Sequence, residues 1–254
     1  MTTAAPPPEA SGDFVDHFDR SARAFADAVD GADPTAAVGA CPGWTVLRHV
    51  EHLGQIHLWA AFCAANGRAP TQDETDAMER FDRTRPDLAA DWYRSTAAVL
   101  APTLRALDPE APTWHPFPTE QVAAFWPRRQ AHETVIHLWD LEHAAGREPS
   151  AIDASFASDG IDEYFGVVLP RLRARGAKLP GGSFHVHCTD VDGEWLVWDD
   201  GDYHLVRAHR KGDAALRGPA QALLLSLLGR PHADTDALSP VGDGAVVDAW
   251  LHPG

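Results

Sequence analysis

The chain has 254 residues, 44% of them hydrophobic, and a formal net charge of −16 at pH 7. That length allows two small domains with ordinary cores, and the charge argues against a nucleic-acid backbone or an anionic membrane as partner, since both need clustered Lys and Arg. Cys41, Cys63 and Cys188 are odd in number and widely scattered, which suits a reducing cytoplasm better than a disulfide framework, and no run is long enough to span a bilayer.

Residues 1–12 are rich in Ala and Pro and read as a disordered lead-in. Phe14, Phe18, Phe25 and Val29 then recur at helical spacing between Asp13 and Asp30, the pattern of an amphipathic first helix. The turn Cys41-Pro42-Gly43-Trp44-Thr45 places Thr45 to cap a second helix that ends at Asn66-Gly67. His52 sits beside the apolar stripe of that helix, and His49 and His57 read as boundary residues. After a polar loop over 68–85, with room for a short helical turn, a third helix is expected from Pro86 to Leu107, kinked or shortened by Pro102. A fourth is expected over 119–145, bent by Pro127 or starting near it. Four helices joined by polar loops predict a bundle over 13–150, where metal sites form from side chains on facing helices.

The pattern changes after Pro149. A fifth helix is expected over 154–175, and then the period becomes two over 183–189, 194–198, 203–208 and 214–216, with Asp192-Gly193 and Asp200-Gly201 as turns. This predicts antiparallel hairpins, followed by a leucine-rich helix over 218–228 and a short helix over 242–251. The expected class is α+β, with a helical bundle followed by a small α+β domain over 151–254 carrying an antiparallel sheet.

The strongest chemical signal is His132-Glu133-Thr134-Val135-Ile136-His137 in the fourth helix. Glu133 and His137 lie four apart, about 40° from each other on a helix turning roughly 100° per residue, so both can grip one ion. His132 lies about 140° around from His137, so this HExxxH does not reproduce the two-histidine spacing of zinc proteases. A catalytic zinc takes three protein ligands and keeps one position open. His52 is the candidate third. Set against this reading are a hydrogen-bonded core histidine at position 52 and a salt-linked helix face at 133 and 137.

Cys41-Pro42-Gly43-Trp44-Thr45 with His52-Leu53-Gly54, and Phe125-Trp126 with the run from Arg128 to Asp140, resemble the mycothiol-dependent maleylpyruvate isomerase family. Leu216-Arg217-Gly218-Pro219-Ala220 and Leu228-Gly229-Arg230 are similar to its C-terminal domain. The resemblance implies a DinB-like four-helix domain and a sterol-carrier-like second domain. It also implies a divalent metal, usually Zn2+, on His52, Glu133 and His137, with mycothiol as the thiol cofactor. An arginine that binds anionic groups is implied as well, for which Arg217 is the nominee and Arg230 the second. Arg48 departs from the acidic residue common just upstream of the metal histidine.

The expected activity is thus a metal- and thiol-dependent isomerisation of, or S-transfer to, a small electrophile such as maleylpyruvate, in the cytoplasm. Two rivals remain at this stage. One is a metal hydrolase with His132 or Asp140 assisting proton transfer, and the other is a non-catalytic ligand-binding or regulatory protein. Oligomeric state is not legible in the sequence.

Overall fold

The computed structural model describes residues 11–251, and the side chains of 11, 12, 233 and 235 are left aside. Most of the lead-in expected over 1–12 therefore lies outside the described residues, while Ser11 and Gly12 begin the first helix. The chain divides into two compact units: 11–116 with 120–150, and 151–251 with the short segment 117–119.

In the first unit, α1 (Ser11–Val29) packs chiefly on α5 (Phe125–Ala144), and α2 (Val46–Asn66) on α4 (Ala89–Arg105). Phe14, Phe18 and Phe25 of α1, spaced at about one and two turns, are all buried. Thr45 caps α2, its hydroxyl accepting from the Arg48 N–H at 3.3 Å. Gly67 closes the same helix at φ 63°, a left-handed position that suits glycine. The polar loop holds a short helix, α3 (Gln72–Asp76), fixed by a capping box between Thr71 and Glu74.

Pro86 opens a 3-10 turn (Pro86–Leu88) ahead of α4, and α4 runs one turn past Pro102. The expected fourth helix starts later than residue 119. Pro127 sits in the first turn of α5, where its missing N–H costs no intrahelical bond.

In the second unit, α6 (Ala154–Glu163) and α7 (Leu169–Ala174) form one expected helix broken by a π-helical turn, Tyr164–Val168. There the Leu169 N–H reaches the Tyr164 carbonyl. Pro170 accounts for the break: it cannot donate to Gly166, and its ring would press on that carbonyl in a regular α-helix.

The strands are β1 (Phe184–Cys188), β2 (Glu194–Asp199), β3 (Tyr203–Val206), β4 (Ala214–Gly218) and β5 (Ser239–Gly242), in spatial order β3-β2-β1-β4-β5. The expectation of a wholly antiparallel sheet is corrected here, because β4 pairs with β1 in parallel. The segment 207–213 leaves β3 at one edge and returns across the sheet to start β4 beside β1, a crossover rather than a hairpin. Phe184, Val186 and Cys188 turn one face of β1 to the core, where α8 (Ala220–Leu227) and α9 (Gly244–Leu251) pack. Trp250 of α9 stacks on Phe184 there, with centroids 6.1 Å apart. His185 and His187 take the other face. No helix among the described residues is long and apolar enough to cross a membrane.

Gly54, two residues after His52, lets α4 approach α2. A Cβ built there would overlap the indole of Trp92, which is 8% exposed. Gly54→Ala is therefore expected to destabilise the protein by roughly 1–3 kcal/mol, although alanine is the better helix former. Urea unfolding measures this, and an increase in stability would show that the Trp92 ring relocates freely.

Candidate metal centre

His52 on α2 and Glu133 and His137 on α5 meet between the two helices. One donor atom from each lies within 4.8 Å of the others. His137 Nε2 is 3.2 Å from Glu133 Oε1, and His52 Nε2 is 3.8 Å from the same oxygen. Tetrahedral coordination at about 2.0–2.1 Å per bond puts donors roughly 3.3 Å apart, so small rotamer changes bring all three onto one point. Two imidazole nitrogens and a carboxylate oxygen form the donor set of open, catalytic zinc sites.

The surroundings orient each donor. Arg129, one turn before Glu133, pairs with its Oε2, which leaves Oε1 turned toward the histidines. Burial raises the Glu133 carboxyl, but the Arg129 charge and the two histidines outweigh it and hold the group well below the usual carboxylate range. His137 Nδ1 lies 3.4 Å from Oδ2 of Asp140, a buried carboxylate placed to fix the ring with Nε2 facing the site. Burial lowers the His137 pKa, yet Asp140 and Glu133 together carry it up to about 9. The His52 ring packs edge-on against Trp44 at 4.7 Å, so the Pro-Gly-Trp turn is part of the support. Arg48 lies over that same indole and pairs with Glu51 at 3.0 Å.

His49 and His57 are not the boundary residues expected, for both are fully buried. His49 Nε2 donates to the His137 carbonyl at 3.1 Å, its ring 4.6 Å from that of His137, and His57 Nε2 lies 3.2 Å from the Thr134 hydroxyl. Cys41, His49 and His137 form a second donor set that shares His137 with the first. Cys41, Cys63 and Cys188 are all free thiols, and burial pushes Cys63 and Cys188 up to about 12, away from nucleophilic use.

His132 is buried edge-on to Phe14 of α1 at 6.0 Å, on a different face of α5 from the donors. Asp140, which the sequence offered only for a hydrolase, proves to be the neighbour of His137, and its spacing of three residues carried that signal. A cavity of about 260 Å3 lined by Val29, Val46, Val50 and Ala90 includes none of the three donors.

Arg217 lies inside β4, not in a turn: it faces His187 of β1 and Ser239 of β5 in register, and its side chain is exposed. Arg230 follows α8 and donates to the Leu228 carbonyl at 2.7 Å.

The family model of the mycothiol maleylpyruvate isomerase N-terminal domain matches residues 15–142, and that of the MDMPI C-terminal domain matches residues 155–249. Two solved structures are similar: the crystal structure of the mycothiol-dependent maleylpyruvate isomerase, at 12% identity, and that of a histidine-to-alanine mutant of it, at 10%. Each match covers 91% of this chain and 92% of that one with a TM-score of 0.60, a likeness of fold. No curated protein matches the sequence.

Burial lowers both His49 and His57 to about 3 from an ordinary 6.5. Between those values the unfolded chain binds protons that the folded one refuses, so this stability is present above pH 6.5 and lost as the pH falls. The loss is on the order of 1–2 kcal/mol per histidine at pH 5. Urea midpoints from pH 7 to 4.5 are expected to drop, and His57→Gln to flatten the slope. An unchanged slope in that variant would assign acid lability elsewhere.

Proposed function

The chain belongs to the mycothiol maleylpyruvate isomerase family, and from that premise we propose that His52, Glu133 and His137 hold a divalent metal of the zinc type. There a thiol, mycothiol in this family's naming, acts on a small electrophile such as maleylpyruvate. The observation that carries the reading is the convergence of two imidazoles and one carboxylate oxygen from facing helices, each backed by a partner that orients it.

A divalent ion bound there supplies Lewis acidity, lowering a coordinated thiol well below its free value near ~8.5. The protein's own part is orientation and charge. Glu133 offers one oxygen because Arg129 occupies the other, and Asp140 steadies His137 from behind. His52 and His137, ligating as neutral imidazoles, and the Glu133 carboxylate would hold a divalent ion without cancelling its charge, which would favour an anionic sulfur. Cis-trans isomerisation and S-transfer both begin with an ionised thiol, and the donor set serves either. His132 stands away from these donors, so no observation favours its use in a hydrolase. The three free thiols suit a reducing compartment, the cytoplasm.

Elemental analysis of the purified chain is expected to find zinc or a like metal, and thiol-dependent turnover of maleylpyruvate to require it. His137→Ala is expected to lose this site's equivalent of metal together with the turnover, while keeping the wild-type circular dichroism. Metal retained at full stoichiometry in the double variant His52→Ala/His137→Ala, or turnover without any thiol, would overturn the reading.

We assign to Arg217 the binding of the substrate's anionic group, since a protein of charge −16 has to offset its own field locally. An exposed guanidinium offers the fork geometry that matches a carboxylate. Arg217→Lys is expected to raise KM about tenfold with metal content unchanged. Unaltered kinetics would remove Arg217 from the site.

A further inference from the structure

The face of the sheet that turns away from the α8–α9 core carries a second cluster of ligand-type side chains. It lies wholly in the second unit and shares no residue with His52, Glu133 or His137. His185 and His187 alternate on β1, so period-two geometry sends both rings to the same side. Glu194 of β2 stands directly opposite His187 in the antiparallel register and projects to that side as well. The crossover of residues 207–213 brings His209 over the same patch, its ring 5.4 Å from that of His185 and 6.1 Å from that of His187. Three segments distant in pairing thus converge on one spot.

The donor geometry is compact. Glu194 Oε1 lies 2.9 Å from His187 Nδ1, while its Oε2 lies 3.3 Å from His185 Nε2 and 2.6 Å from His209 Nδ1. One donor atom from each of the four side chains lies within 4.8 Å of all the others. The three rings meet nearly perpendicular to one another, at interplanar angles of 82°, 88° and 85°. His187 Nδ1 is buried and has no hydrogen-bond partner despite its closeness to the carboxylate. One carboxylate carries a single negative charge, which balances one imidazolium and leaves the other two rings unexplained as ion pairs.

We propose that His185, His187, Glu194 and His209 form a second metal site, a structural one, for a divalent transition ion of the zinc class. Three nitrogens and one oxygen suit zinc, copper or nickel and not calcium or magnesium, which take oxygen ligands. Four protein donors complete a tetrahedron and leave no open position, the mark of a structural site. The ion ties the crossover down onto β1 and β2, across the step where the sheet changes from antiparallel to parallel pairing. Arg217 faces His187 on the neighbouring strand, but its exposed side chain is free to extend into solvent and is no ligand.

The test is a zinc titration of the full chain after chelator treatment, read by equilibrium dialysis, with Co2+ absorption reporting tetrahedral coordination. Wild type is expected to bind two ions, His137→Ala one, His187→Ala one, and the double variant none. His209 has a side chain 78% exposed, so His209→Ala keeps the fold and is expected to weaken this ion at least tenfold. Zinc is expected to raise the Tm of His137→Ala by about 5 °C or more, and His209→Ala in that background to abolish the rise. A His137→Ala chain that binds no ion, or stoichiometry untouched by both His187→Ala and His209→Ala, overturns the proposal. Failure of the bundle site looks different: wild type and His137→Ala then bind one ion each, still lost on His187→Ala.

Discussion

The bundle is organised around a charge that has to be kept inside it. Glu133 is largely enclosed between α2 and α5, where an ionised carboxylate is costly unless it is paired. Arg129 supplies the pairing from one helical turn away, and the consequence is directional: with Oε2 taken, Oε1 is the oxygen left for His52 and His137. Everything else at the centre builds on that asymmetry. Asp140 Oδ2 lies 3.4 Å behind His137 Nδ1, within ion-pair distance, and the His52 ring packs edge-on against the Trp44 indole.

The same helices carry a buried layer of neutral imidazoles beneath the donors. His49 ties its Nε2–H to the His137 carbonyl, and the His57 nitrogen meets the Thr134 hydroxyl; both bonds cross from α2 to α5. A hydrocarbon side chain at either position would fill the space but could not fix the relative height of the two helices, and a slip of one helix past the other would separate His52 from Glu133. Desolvation keeps these rings uncharged, which adds no like charge beside an ion. What the polar layer gains in registration it gives up in tolerance of acid.

Local signals carried most of this in the sequence. The Thr45 cap, the Gly67 stop and the phenylalanine spacing of α1 each act within a few residues, and each appears where the pattern placed it. Glu133 and His137 were legible because four-residue spacing on a helix is itself geometry. The misses are non-local. The parallel pairing of β1 with β4 depends on where the 207–213 crossover runs, which no alternation encodes. Strand β5, Ser239-Pro240-Val241-Gly242, is wholly exposed and carries a proline at the sheet edge, so it lacks the period-two burial that marks a strand. The strand expected over 214–216 stops short because Gly218-Pro219 follows, yet Arg217 and Gly218 both belong to β4. His185 and His187 were visible as alternate residues of an expected strand, but their partners Glu194 and His209 join them only through tertiary pairing.

The two histidine clusters differ in a way that follows from the elements that build them. Helices α2 and α5 contribute three donors from two rigid rods, a set one short of the four that a closed tetrahedral site takes. The sheet contributes donors from neighbouring strands, spaced at about 4.8 Å, with a fourth, His209, laid over them by the crossover from the solvent side. The two sets thus divide by element, helix-borne donors in one and strand- and crossover-borne donors in the other. The order of the chain agrees with that division: the helical set belongs to segments that fold on local signals, whereas the sheet set spans the one connection whose course no local signal directs.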